Sequence, residues 1–150
     1  SEGCNHYITT SDEYFKNLDK NKKYDIIFID AWHEHYQVYR DIENSLNHLS
    51  DNGIVVLHDM IPLTEQLETD FTRTGTCWRA YADFRKRPDL KMNVLVPPWG
   101  TEDCLGLIKK GSQKPYNEEI DYTYVYLLNN LEDLMSTIDL DTFYKEYIAE

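Results

Sequence analysis

Cysteine, positive charge and long apolar runs are all scarce in this chain of 150 residues. Its three cysteines, Cys4, Cys77 and Cys104, are an odd number with no CxxC pair, which argues against both a disulfide framework and a zinc knuckle. A reducing, cytoplasmic setting is the expectation. With 15 Lys and Arg against 27 Asp and Glu, the formal net charge is -12. Such a chain has no basic stripe with which to displace counterions from nucleic-acid phosphates or to dock on an anionic membrane. The apolar runs Ile26 to Ile29 and Ile54 to Leu57 are strand-length, far below the ~20 residues of a membrane span. Neither reads as a signal peptide.

What is there is the alternation of an α/β domain. His6 to Thr9 suits a short strand, and Thr10-Ser11-Asp12-Glu13 has capping chemistry ahead of a short helix with Tyr14, Phe15 and Leu18. Tyr24 to Asp30 has an unbroken apolar centre, which predicts a central parallel strand covered on both faces. From His35 to Leu49, Val38, Tyr39, Ile42, Leu46 and Leu49 recur at helical spacing, and Asn52-Gly53 reads as the helix terminus. Gly53 to Asp59 is then a second buried strand, making a right-handed parallel strand-helix-strand unit. Met60 to Gly75 reads as a long loop, and Cys77 to Lys86 as a helix with Trp78, Tyr81, Ala82 and Arg85 on one stripe. Lys91 to Val96 and Cys104 to Lys109 suggest an antiparallel pair. Tyr122 to Thr137 has helical spacing, and a last short helix is expected after Asp141. The expected organisation is an α/β domain over 1–111 and a helical extension over 112–150 that packs on it.

Ligands of open parallel α/β sheets sit beyond the carboxyl ends of the strands. Asp30 closes the first buried strand and Asp59 the second. Neighbouring strands are about 5 Å apart, so the two carboxylates can share one divalent cation, and oxygen donors suit Mg²⁺. His33, in the turn after Asp30, can lean over the same crevice as a general base. Strand alternation puts His58 on the opposite face from Asp59, so it reads as a histidine behind the ligands or in the core and not as a ligand, and His35 and His48 read as surface helix residues. Trp32, Trp78 and Trp99 could stack on a sugar or aromatic ring, with core or rim packing as the ordinary alternative. Cys77 and Cys104 read as buried packing. A metal phosphohydrolase is disfavoured, because the His58-Asp59 pair ends a strand.

The run Tyr24-Asp-Ile-Ile-Phe-Ile-Asp30-Ala-Trp-His33, then Tyr36, Arg40-Asp41-Ile42, Asn52-Gly53 and Val56-Leu57-His58-Asp59, resembles the class I O-methyltransferases that include the macrocin-type sugar and small-molecule enzymes. The likeness extends through Cys77-Trp78-Arg79-Ala80 to Leu105-Gly106-Leu107-Ile108. It implies a partial Rossmann-like sheet of parallel strands with a C-terminal antiparallel pair and C-terminal helices. It further implies S-adenosylmethionine as methyl donor and transfer to a deprotonated hydroxyl of a sugar or small metabolite. Asp30 and Asp59 match the divalent-metal ligands, with Mg²⁺ or another dication expected, and His33 matches the base. Ser11 resembles the loop residue that contacts the cofactor's adenine, with Asp30 bordering the cofactor.

One departure concerns the donor. The family opens with a glycine-rich loop after its first strand and an acidic strand end for the ribose, whereas here Gly3 is the only glycine before Gly53. The Tyr24 to Asp30 strand would then show an unpaired apolar edge, and such edges invite another strand. The expectations are a fragment of a longer protein, a half completed by a partner or second copy, or a shortened relative that serves as a binding or assembly module.

Overall fold

The computed structural model describes residues 4–101 and 104–149. Thr10 caps α1 (Ser11–Asn17) by accepting from the Glu13 amide at 3.2 Å, as its hydroxyl chemistry dictates. β1 (Tyr24–Ile29) leads to α2 (His35–Asn47) and β2 (Leu49–Leu57). A post-strand loop carries α3 (Glu65–Glu68), and α4 (Cys77–Phe84) precedes the hairpin β3 (Leu90–Leu95) and β4 (Leu105–Lys110). The chain closes with α5 (Tyr124–Asn129), α6 (Leu131–Met135), β5 (Thr137–Ile138), α7 (Leu140–Phe143) and a π-helical turn over Tyr144–Ile148. Among the described residues, no helix is long and apolar enough to cross a membrane.

The five strands form one sheet in the order β1-β2-β4-β3-β5. β1 and β2 are parallel, with Ile29 opposite Leu57, while β4 runs antiparallel to both β2 and β3. This is the expected mixed α/β sheet, and it fits a Rossmann-like architecture. The core packs on it: Val38 and Ile42 from α2, Val55 and Leu57 from β2, and Trp78 and Tyr81 from α4 are all buried. The segment beyond Gly111 joins this core through Leu127, Leu134 and Met135. Its backbone also receives hydrogen bonds from α4, with the Tyr81 hydroxyl donating to Met135 and the Arg85 guanidinium to Leu134.

Several expectations are corrected. His6 to Thr9 is not a strand. β1 is an edge strand covered on one face only: Ile26 is 69% and Phe28 56% exposed, while Ile29 is buried. An all-apolar strand cannot report which faces are covered, because its composition is the same either way. α2 ends at Asn47, before Gly53, whose φ is not left-handed. Gly53 instead sits where a Cβ would come within 2.8 Å of the Leu49 side chain, so it permits a close crossing in the irregular start of β2. The Tyr122 to Thr137 helix is broken at Asn130 into α5 and α6.

The burial pattern makes a direct prediction. Leu57→Ala, at a side chain 1% exposed, should cost about 2–5 kcal/mol in urea unfolding. Ile26→Thr on the open face should move stability by only about 0.5 kcal/mol.

Candidate functional site

The site grows out of the β1–β2 pairing. β1 ends at Ile29, and the His58 amide donates to the Ile29 carbonyl at 3.0 Å, so the two chains stay in register to their tips. Beyond that bond both leave the sheet. Asp30 starts a short turn that ends at Glu34, whose carboxylate caps α2 by accepting from the Tyr36 and Gln37 amides. Asp59 takes a left-handed φ of 56°, a conformation that aspartate tolerates better than most residues.

These two departures bring the acids and imidazoles together. Ligand atoms of Asp30, His33 and Asp59 all lie within 4.8 Å of one another, a grouping able to hold a metal ion. His33 Nε2 stands 3.4 Å from Asp30 Oδ1 and 3.3 Å from Asp59 Oδ2. His58 Nδ1 is 2.9 Å from Asp59 Oδ2 and 3.9 Å from Asp30 Oδ1, and although buried it makes no hydrogen bond. His58 therefore stands behind the Asp59 carboxylate, as expected of a residue backing the ligands, although not on the opposite face as alternation had it. That argument assumed an extended strand through Asp59, and the left-handed turn there swings the Asp59 carboxylate back toward its neighbour.

The turn bearing His33 is gripped by the loop that follows Asp59. The Thr76 amide donates to the His33 carbonyl at 2.9 Å, and the His35 amide donates to the Thr76 hydroxyl at 2.8 Å. Gly75, at φ +55°, lies so close that a Cβ would sit 2.1 Å from the His33 carbonyl oxygen. Glu68 anchors the same loop from inside, accepting from Trp78 Nε1 at 2.8 Å and from the Arg79 guanidinium. At the outer rim, the exposed Trp32 ring lies 6.0 Å from the Phe71 ring, joining the two loops a second time.

The remaining sequence candidates fall elsewhere. The Ser11 hydroxyl accepts from Gln37 Nε2 at 3.2 Å, and with Gln37 it hydrogen-bonds the buried Asp41, so it is engaged in the α1–α2 contact. Burial pushes the Asp41 carboxyl above its ordinary value, against those hydrogen bonds. Neither His35 nor His48 is a surface residue. His35 Nε2 lies 2.7 Å from Asp83, which also accepts from the Tyr122 hydroxyl. Burial acts to raise the Asp83 pKa, and these two partners outweigh it and hold the carboxyl low. His48 is buried, with Nδ1 on the Lys22 carbonyl and its ring stacked on Phe15. Burial pushes the Cys77 thiol far up and the Cys104 thiol up to about 11, so neither offers a thiolate at neutral pH. Trp78 is core, as packing predicts. A cavity of about 730 Å³ is lined by Tyr7, Tyr14, Lys22 and Tyr24 among others and shares no residue with the acid–imidazole cluster.

A family model described as a methyltransferase domain matches residues 2–60 of the chain. No curated protein matches it. The matched segment is less than half of the chain and contains Ser11, Asp30, His33, His58 and Asp59.

Two outcomes follow from the packing around the site. Gly75→Ala should destabilise by about 1–3 kcal/mol or more, read from the urea midpoint, because the left-handed φ and the His33 carbonyl both oppose a side chain. Asp41 is held above its ordinary pKa, so its ionisation weakens the fold. Wild-type stability should fall, relative to Asp41→Asn, as pH rises from about 4 through the raised folded value, and the difference should then level off.

Proposed function

We propose that the chain is the acceptor-activating part of an S-adenosylmethionine-dependent, divalent-metal-assisted O-methyltransferase that acts on a hydroxyl of a sugar or small metabolite. The convergence of Asp30, His33 and Asp59 at the carboxyl end of two parallel strands carries the reading. In this reading Asp30 and Asp59 supply oxygen donors to the cation, and an imidazole at the cluster takes the acceptor's proton. His33 is the residue that the sequence puts in that place, with His58 beside the same carboxylate. The chemistry such an ion supplies is Lewis-acid stabilisation of an alkoxide, which lowers the acceptor's pKa. Trp32 and Phe71 offer an apolar wall for the acceptor ring at the rim of the same two loops. Aromatic faces of this kind suit planar rings and the CH faces of sugars alike.

The donor side fits differently. With Gly3 alone before Gly53, the chain contains no glycine-rich turn to cradle the cofactor. Ser11, expected near the adenine, already serves the α1–α2 contact. Donor binding by this reading calls on a further segment or partner, and the edge of β1 with Ile26 and Phe28 exposed is the surface suited to receive it. The same surface also suits a binding or assembly module that has kept the fold without activity.

Titration of S-adenosylmethionine into the folded chain by calorimetry separates these cases. Binding heat, with methyl transfer to hydroxyl acceptors that falls at least a hundredfold in Asp30→Asn and Asp59→Asn, is the expected result for a self-sufficient enzyme. Silence from a folded chain would sink that version. Light scattering that then found a stable monomer would also remove completion by a second copy.

A further inference from the structure

The two imidazoles of the cluster are not equivalent, and their difference bears on which cation the site takes. His33 is the more enclosed, with 14% of its side chain exposed against 34% for His58. Its backbone is also fixed from outside by Thr76 and Gly75. Its Nε2 is nearly equidistant from the two carboxylates, at 3.4 and 3.3 Å. Those separations are long for charge-assisted hydrogen bonds, which run about 2.7–2.9 Å. They suit neighbouring ligands on one small ion: bonds of about 2.1 Å put adjacent donors about 3.0 Å apart in an octahedron and about 3.4 Å in a tetrahedron. A rigid, enclosed, equidistant nitrogen is what a coordination position requires. A group that must reach an incoming hydroxyl needs an exposed edge, and His58 is the one that has it, with Nδ1 turned inward to Asp59.

We propose that His33 Nε2 is itself a ligand beside Asp30 and Asp59, so that the site takes a first-row transition-metal dication of the Mn²⁺, Fe²⁺ or Co²⁺ class in preference to Mg²⁺. The inference rests on the metal-assisted reading above and deepens it. Mg²⁺ favours an all-oxygen shell, whereas an imidazole donor shifts preference toward ions that bind nitrogen well. The proton-accepting imidazole of that reading is then His58.

The test uses the metals alone on the intact chain. Calorimetry should find Mn²⁺ and Co²⁺ binding at least tenfold tighter than Mg²⁺, and His33→Gln should cut that preference at least fivefold while circular dichroism stays unchanged. Electron spin-echo spectroscopy of bound Mn²⁺ should show a directly coordinated ¹⁴N that disappears in His33→Gln and persists in His58→Gln. A bound Mn²⁺ without nitrogen coupling, or coupling lost only in His58→Gln, overturns the assignment of His33 and leaves a metal site standing. If no dication binds at millimolar concentration to the folded protein, the metal-assisted reading itself falls.

Discussion

The parallel pairing of β1 with β2 is the constraint on which the site depends. The register that sets Ile29 against Leu57, extended by the His58 amide on the Ile29 carbonyl, delivers Asp30 and Asp59 to the same end of the sheet. A slip of one residue would exchange the two faces of the strand and carry the acids apart. α2 secures that register by burying Val38 and Ile42 against the covered face. Stability and chemistry therefore share one element: the helix that closes the crossover also fixes the turn from which His33 projects.

Two like charges so placed repel each other, and a chain with a net charge of -12 supplies little compensation. Two imidazoles stand at 2.9 to 3.9 Å from them. A left-handed aspartate and buried ring nitrogens without hydrogen bonds at His33 and His58 mark this as a place where local satisfaction yields to arrangement. Such features concentrate at functional sites, and here they coincide with the segment that matches a methyltransferase domain.

The loop between Asp59 and Cys77 contributes order instead of donors. Glu68, pinned by Trp78 and Arg79, ties it to α4, and Gly75 presses it onto the His33 turn. Phe71 then meets Trp32 at the rim. The opposite face of β1 has no such cover, and Ile26 and Phe28 stand open. One side of the strand is finished by the chain itself, and the other is suited to contact.

Strands β1 to β4, the crossover helix, the hairpin and the Asp30–His33–Asp59 grouping were legible in the sequence, because apolar runs, helical spacing and strand-end acids are local patterns, whereas the two-residue β5 carries no such pattern. The position of His58, 2.9 Å from Asp59, was hidden, since alternation holds only while the backbone stays extended and Asp59 turns left-handed. The half-burial of His35 and the burial of His48 were hidden too, for their partners Asp83 and the Lys22 carbonyl lie far off in sequence. The sequence by itself determined which groups arrive at the sheet edge. Only the tertiary structure decided how they face one another and which flank of β1 is covered, because both depend on contacts between segments that no local periodicity encodes.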